Sequence, residues 1–222
     1  MTIPTPPRSL KIGTIIDKTL GVIELNVRPV LLFVAGLTLI NGAITYFSRE
    51  MTRVTDAVVL GIAGFAVGIV ASYLLLEAVV RRTGLRSRIS DDTFLPYCLM
   101  SILSILGIIG GLILLVIPGL VILARWLLAG PLVIARGDGA RQALGESWER
   151  TRGAEFAILI ALLALAIGPI VVMIASAMLF DPADPVGIGV SQIASSGMSA
   201  VIQMMGVALY GLMIGAPGKT FE

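Results

Sequence analysis

The sequence predicts an all-α integral membrane protein: a six-helix transmembrane bundle, both termini in the cytoplasm, with two amphipathic helices lying along the cytoplasmic face. Three observations predict it. Charged residues make up only 14% of the chain and hydrophobic residues 57%, against about 25% charged in an ordinary soluble domain. The apolar residues gather into runs long enough to cross a bilayer. The lysines and arginines fall almost entirely into alternate loops.

A hydrocarbon core about 30 Å thick takes roughly 20 residues of helix at about 1.5 Å each. Residues 30–47 meet that length, as do residues 58–80, which hold the single charge Glu77. The apolar stretch 97–135 is too long for one span. It divides at Pro118-Gly119, where proline removes a donor and glycine permits a turn. The result is a hairpin of residues 97–117 and a short helix 120–135 with Arg125 and Pro131 inside it. Full crossing by both arms is favoured because residues 97–117 carry no charge; a re-entrant hairpin fits the same loop charges. Residues 157–180 make a fifth span with Pro169 as a kink site, and residues 187–216 a sixth, ended by Pro217-Gly218.

Loop charge orients the spans, because lysine and arginine concentrate on the cytoplasmic side. Arg8, Lys11, Lys18 and Arg28 precede the first span. Arg81, Arg82, Arg86 and Arg88 lie between the second and third, and Arg136, Arg141, Arg150 and Arg152 between the fourth and fifth, with Lys219 after the sixth. Only Arg49 and Arg53 fall on the other side. Both ends are therefore expected inside. The polar, proline-rich segment 1–8 lacks the pattern of a cleaved signal, so the first span is expected to act as an uncleaved anchor.

Two segments predict helices lying on the membrane surface. In residues 10–26 an apolar stripe of Ile12, Ile16, Leu20 and Ile23 opposes Asp17, Lys18 and Glu24. In residues 140–152 the stripe is Ala140, Leu144, Ser147, Trp148 and Thr151, with Glu146 and Arg150 forming an i,i+4 pair on the polar side. A tryptophan and basic flanks, Arg136 and Arg141, suit the headgroup boundary. The chain thus divides into a cytoplasmic amino terminus with an interfacial helix (1–29), a transmembrane domain (30–216) containing the second interfacial helix, and a cytoplasmic tail (217–222).

Composition narrows the chemistry. Histidine is absent and there is one cysteine, Cys98, which removes the commonest general base and the commonest metal ligands. No Walker loop, zinc-protease helix, nucleophile elbow or dithiol motif is present. No aspartate lies within a span, which excludes an intramembrane aspartate pair. A net charge of +2, widely spread, does not suit nucleic acid. No catalytic residue, metal site or cofactor is expected.

Within the membrane, Arg125 is the most informative residue, since a charge there costs about 2.5–3.5 kcal/mol on insertion scales and normally faces protein or water. It lies eleven residues before Arg136, about 16 Å deep in a continuous helix. Either it contacts an anion or a lipid phosphate, or it is structural, paired with Glu77 or bonded to carbonyls freed near Pro131. Glu77, near the inner boundary, is expected to reach water. Small residues at helical spacing, Gly64 with Gly68 and Gly107 with Gly111, favour close helix packing within the chain, with a seam between two copies as the alternative. Gln192 and Gln203 are expected to bond to neighbouring helices.

One stretch, 118–153, carries a family likeness: Ile117-Pro118-Gly119-Leu120, Arg125, Pro131, the turn Gly137-Asp138-Gly139, Ala143-Leu144, Ser147 and Gly153. It resembles the membrane domain of glycerophosphodiester phosphodiesterases and related small bacterial inner-membrane proteins of unknown function. The amino-terminal pattern of amphipathic helix, Asn26 and apolar span is also similar. The resemblance implies a multi-pass protein of the bacterial inner membrane. In the full-length enzymes of that family a soluble barrel using histidine, glutamate and a divalent metal does the catalysis. This chain has neither barrel nor histidine, so the activity is not carried over. The function expected is non-enzymatic: binding of anionic membrane lipid, or support of a membrane protein partner or a second copy of the chain. The alternative is a small transporter or channel for an anionic or lipid-like solute.

Overall fold

A computed structural model describes residues 10–49, 53–85, 92–181 and 184–215. The tail 217–222, the segment 1–9, Arg86, Arg88, Lys219 and the stop at Pro217-Gly218 lie outside the described residues. Among those described, all regular structure is helical: α1 (Ile12–Leu25), α2 (Val27–Ser48), α3 (Val54–Arg82), α4 (Phe94–Leu114), α5 (Val116–Trp126), α6 (Ala129–Arg136), α7 (Ala140–Arg150), α8 (Glu155–Leu179) and α9 (Pro185–Met213). Six segments are long and apolar enough to cross a membrane: α2, α3, α4, the run Val116–Arg136 that contains α5 and α6, α8 and α9. The chain is a multi-pass membrane protein.

The helix ends follow local chemistry. Asn26 separates α1 from α2 with φ −124° and ψ 31°. At α6, Gly137 adopts φ 72° and its N–H reaches the Val133 carbonyl at 2.9 Å, a left-handed cap that favours glycine. Helix α9 begins with Asp184 accepting from the Val186 N–H at 3.0 Å and with proline in the first helical position, where a missing donor costs nothing.

The hairpin differs from its expected form. The chain turns at Leu115, the one non-helical residue between α4 and α5 (φ −166°, ψ 144°), three residues before Pro118. Pro118 instead sits in the first turn of α5, where backbone donors lack intrahelical partners anyway. Gly119 allows the arms to touch: a Cβ built on it would lie 2.8 Å from the Leu112 nitrogen. The expected short helix 120–135 is two pieces, interrupted at Leu127 and Leu128.

Both amphipathic segments are helical, but their faces need correction. In α1 the buried residues are Ile15, Thr19 and Val22, followed by Asn26, while Leu20 is 44% exposed. Thr19 and Asn26 belong to the buried face because each side chain donates to its own helix, to the Ile15 and Val22 carbonyls at 2.7 and 2.9 Å. In α7, Leu144, Ser147 and Thr151 are buried, against α4, α5 and α6 rather than lipid.

The largest buried side chains, including Leu76, Leu128, Leu132, Ile158, Met204, Met205 and Leu209, gather toward one end. That end also holds Arg81, Arg82, Arg136, Arg141, Arg150 and Arg152, and is called the basic end below. Towards the other end the helices expose Leu39, Phe47, Ile62 and Leu179, as expected where acyl chains are the solvent.

Candidate functional site

Two arrangements concentrate polar groups: a charged junction at the basic end and a neutral cavity among the spans.

The junction forms where α5, α7 and α8 meet. Arg125 Nη2 donates to Glu155 Oε1, and these side chains are only 14% and 13% exposed. The guanidinium carbon lies 4.3 Å from the Trp148 ring centroid, and the Trp148 and Trp126 rings are 6.3 Å apart. The Arg125 carbonyl, left without a helical partner by the interruption, accepts from Ser147 Oγ. Thr151 Oγ1 shares its hydrogen between that carbonyl at 3.2 Å and the Ser147 carbonyl at 2.7 Å. Arg125 Nε is buried with no hydrogen-bond partner among the described residues.

This geometry corrects the sequence-based pairing of Arg125 with Glu77. Glu77 pairs instead with Arg81 at 2.5 Å, four residues along its own helix. The helix that carries Arg125 is not continuous: it is interrupted after Trp126, and α7 returns so that Arg125 lies beside Glu155 at the start of α8. Trp148 is half-buried, with its ring against the Arg125 guanidinium. Arg136 donates to Glu146 at 2.5 Å and lies 3.5 Å from Asp138 Oδ2, while Arg150 meets Glu146 at 2.7 Å, the expected i,i+4 pair. Burial pushes the Glu146 carboxyl up, but hydrogen bonds from Arg150 and Arg136 outweigh it and hold it below the usual carboxylate range. Arg141 is exposed.

The cavity, about 370 Å³, lies between α2, α3, α4, α5 and α9, within the range of small-molecule sites. Its polar groups come from Asn41, Ser72, Tyr97, Ser101, Ser104, Ser199 and Gln203, and among the described residues no charged side chain lines it. Gln203 Nε2 donates to the Tyr97 hydroxyl at 3.5 Å, and on the same helix Gln192 Nε2 donates to Thr45 Oγ1 at 3.2 Å. Both glutamines thus bond across helices as the sequence predicted. Helices α3 and α4 meet by ring contacts of Tyr73 with Phe94 and Tyr97 at the basic end. Beyond them Phe65, Gly68 and Ile69 of α3 face Ile105 and Ile108 of α4 across the cavity.

The glycines divide between the two roles. Gly107 lies against the Trp126 ring, and a Cβ on Gly111 would sit 2.9 Å from the Gly119 Cα: both seal α4 to α5. A Cβ on Gly64 would lie 3.3 Å from Asn41 Oδ1 and from Ile44 Cδ1, whereas one on Gly68 would meet nothing within 4 Å, and Gly68 lines the cavity. Sequence reasoning missed Glu155 and Gly206. Glu155 falls just before the apolar run, and its signal was an acidic residue in the first turn of a span. At Gly206 a Cβ would lie 2.6 Å from the Leu127 carbonyl oxygen, an approach no local pattern announces.

Residues 80–184, just under half of the chain, match the family model for the membrane domain of glycerophosphoryl diester phosphodiesterase. The match runs from the end of α3 to the turn before α9 and includes both the hairpin and the Arg125 junction; no catalytic domain is evident. No curated protein and no solved structure matches the chain.

Proposed function

We propose that the chain is a non-enzymatic membrane protein that holds a membrane lipid in the cavity between α2, α3, α4, α5 and α9. The observation behind this reading is a lining of hydroxyl and amide groups without a charge, set among apolar walls. Such groups suit the ester carbonyls and glycerol oxygens of a lipid. A phosphate desolvated there would meet no cation, and burying an unpaired charge is costly. An anionic headgroup is better served at the basic end, where Arg82, Arg141 and Arg152 are exposed. Arg125 is a poor anion site, because Glu155 already answers its charge.

The test is lipid retention. The protein is purified in mild detergent, and bound lipid is extracted and measured by mass spectrometry. Gly68→Leu fills the cavity without striking a neighbour at Cβ, and should weaken retention about tenfold, corresponding to about 1.4 kcal/mol. Arg125→Gln should leave retention unchanged in whatever fraction folds. A well-folded Gly68→Leu variant that keeps its lipid as tightly as the parent overturns the reading.

A second reading, movement of a lipid-like solute, is favoured by the interruption at Leu127 and Leu128 beside the cavity, since broken helices often border transport sites. In proteoliposomes holding a headgroup-labelled fluorescent phospholipid, transport predicts accelerated exchange between leaflets that Gly68→Leu abolishes. Binding alone predicts the unassisted rate.

A further inference from the structure

We infer that α4 and α5 form a re-entrant hairpin whose tip, residues 113–117, ends among lipid acyl chains and does not reach the far surface. Contacts at the basic end define a common layer. A Cβ on Gly130 would touch Leu76 of α3 at 3.1 Å, Tyr97 of α4 at 3.6 Å and Met100 at 3.8 Å, and one on Gly206 of α9 would touch the Leu127 carbonyl. From this layer α3 extends from Leu76 back to Val54 and α9 from Gly206 back to Pro185, about 33 and 32 Å at 1.5 Å per residue. The hairpin is shorter. Helix α4 runs from Met100 to Leu114 and the other arm from Leu128 back to Val116, about 21 and 18 Å. The tip therefore stops about 10 Å short of the far ends of α3 and α9. Tilt of either arm only reduces its reach.

Chemistry at the turns agrees. The far ends of the other spans carry Arg49, Arg53, Asp56, Asp181 and Asp184. From Ile105 to Ala124 there is no polar side chain at all, and residues 113–117 are 63% to 80% exposed. A turn in water would not require this composition; a turn in hydrocarbon would. The backbone is suited to the same place, since unbonded polar groups are not tolerated facing lipid. Only Leu115 leaves the helices; its N–H bonds to the Gly111 carbonyl at 3.0 Å and its own carbonyl accepts from Gly119 at 3.4 Å. Pro118 removes a first-turn donor that would otherwise lack a partner. The occupant around the tip is the acyl interior of the bilayer.

The test uses the full-length chain with Cys98→Ala and one introduced cysteine, reconstituted in phosphatidylcholine vesicles. Leu115→Cys reports the tip and Thr55→Cys, exposed beside Arg53, reports the far surface; Ile113→Cys replaces the tip probe if the first variant folds poorly. With a membrane-impermeant charged maleimide on both sides of the sealed bilayer, Thr55→Cys should be modified fully and Leu115→Cys only after detergent is added. With bimane on the cysteine, nitroxide deep in the acyl chains should quench the tip about threefold more than nitroxide on the headgroup, the order reversing at Thr55, given a tip about 10 Å from the far headgroups. Modification of Leu115→Cys in the intact bilayer as fast as Thr55→Cys would show full crossing and overturn the inference. Protection from the maleimide without quenching by either nitroxide would show a protein cover, such as a second copy, and overturn it equally.

Discussion

Replacing Glu155 with glutamine keeps the shape of the junction and removes the charge that answers Arg125. Removing one partner of a fully buried pair costs about 3–5 kcal/mol, because the other charge stays buried without compensation. Here the two side chains keep 14% and 13% exposure, and the guanidinium retains the Trp148 face, a contact worth about 0.5–2 kcal/mol. The expected loss for Glu155→Gln is therefore about 2–3 kcal/mol. Arg125→Gln combined with Glu155→Gln removes the stranded charge, and the loss should fall to about 1 kcal/mol. The assay is unfolding by sodium dodecyl sulfate in mixed micelles, followed by the fluorescence of Trp126 and Trp148, which sit at the junction itself. The cycle should give a coupling of more than about 1 kcal/mol. A double variant as unstable as the sum of the two single variants would refute the clamp, and Arg125 would again be available for a ligand.

Gly111→Val should destabilise by about 1–3 kcal/mol, because its Cβ would lie 2.9 Å from the Gly119 Cα, a backbone atom that cannot rotate away; Gly68→Ala should stay within about 0.5 kcal/mol in the same titration. Trp148→Ala should cost about 2 kcal/mol, less than a fully buried aromatic, and Trp148→Phe should recover part of it. The Glu146 carboxyl is held below its usual value in the folded protein, so its stabilisation is complete above the unfolded pKa and disappears as pH falls through the lower, folded one. Stability should therefore show a contribution from Glu146 that is flat at neutral pH and lost only in acid, and Glu146→Gln should remove that acid-dependent part.

The membrane class and the number of candidate spans were legible because both depend on composition and run length. Helix ends set by backbone chemistry were legible less often. The turn at Leu115 was misplaced because Pro118 and Gly119 have two uses: they can break a helix, or they can begin one and let a neighbour approach. The faces of α1 were misjudged because Thr19 and Asn26 hide their polarity by bonding to their own helix, which a count of apolar letters treats as exposure. Arg125 was recognised as needing an answer, but Glu155 lies thirty residues away across α6 and α7. Only the reversal at the Gly137-Asp138-Gly139 turn brings the two together. The cavity was not anticipated: Gln203 was expected only to bond a neighbouring helix, and spacing could not say that Gly107 and Gly111 would pack while Gly68 would face open space.

The interruption at Leu127 and Leu128 accounts for the polar residues gathered at the junction. A helix broken within a membrane domain frees carbonyls that lipid cannot satisfy, so the break must be covered by protein. Ser147 Oγ and Thr151 Oγ1 serve the Arg125 carbonyl, and Gly206 admits the Leu127 carbonyl against α9. Glu155 neutralises Arg125 in the last turn of α5, and Trp148 covers its face. These groups complete a broken helix; apart from the Arg125 Nε, a ligand using them would have to displace an existing bond. The polar groups lining the cavity bond to one another and to their own helices and not to the interruption: Gln203 donates to Tyr97, Ser104 to Met100 Sδ and Ser199 to the Ser195 carbonyl. That division makes the cavity the better place to look for a ligand, and it gives substitutions at the two sites opposite signatures: unfolding without loss of lipid at the junction, loss of lipid without unfolding at Gly68.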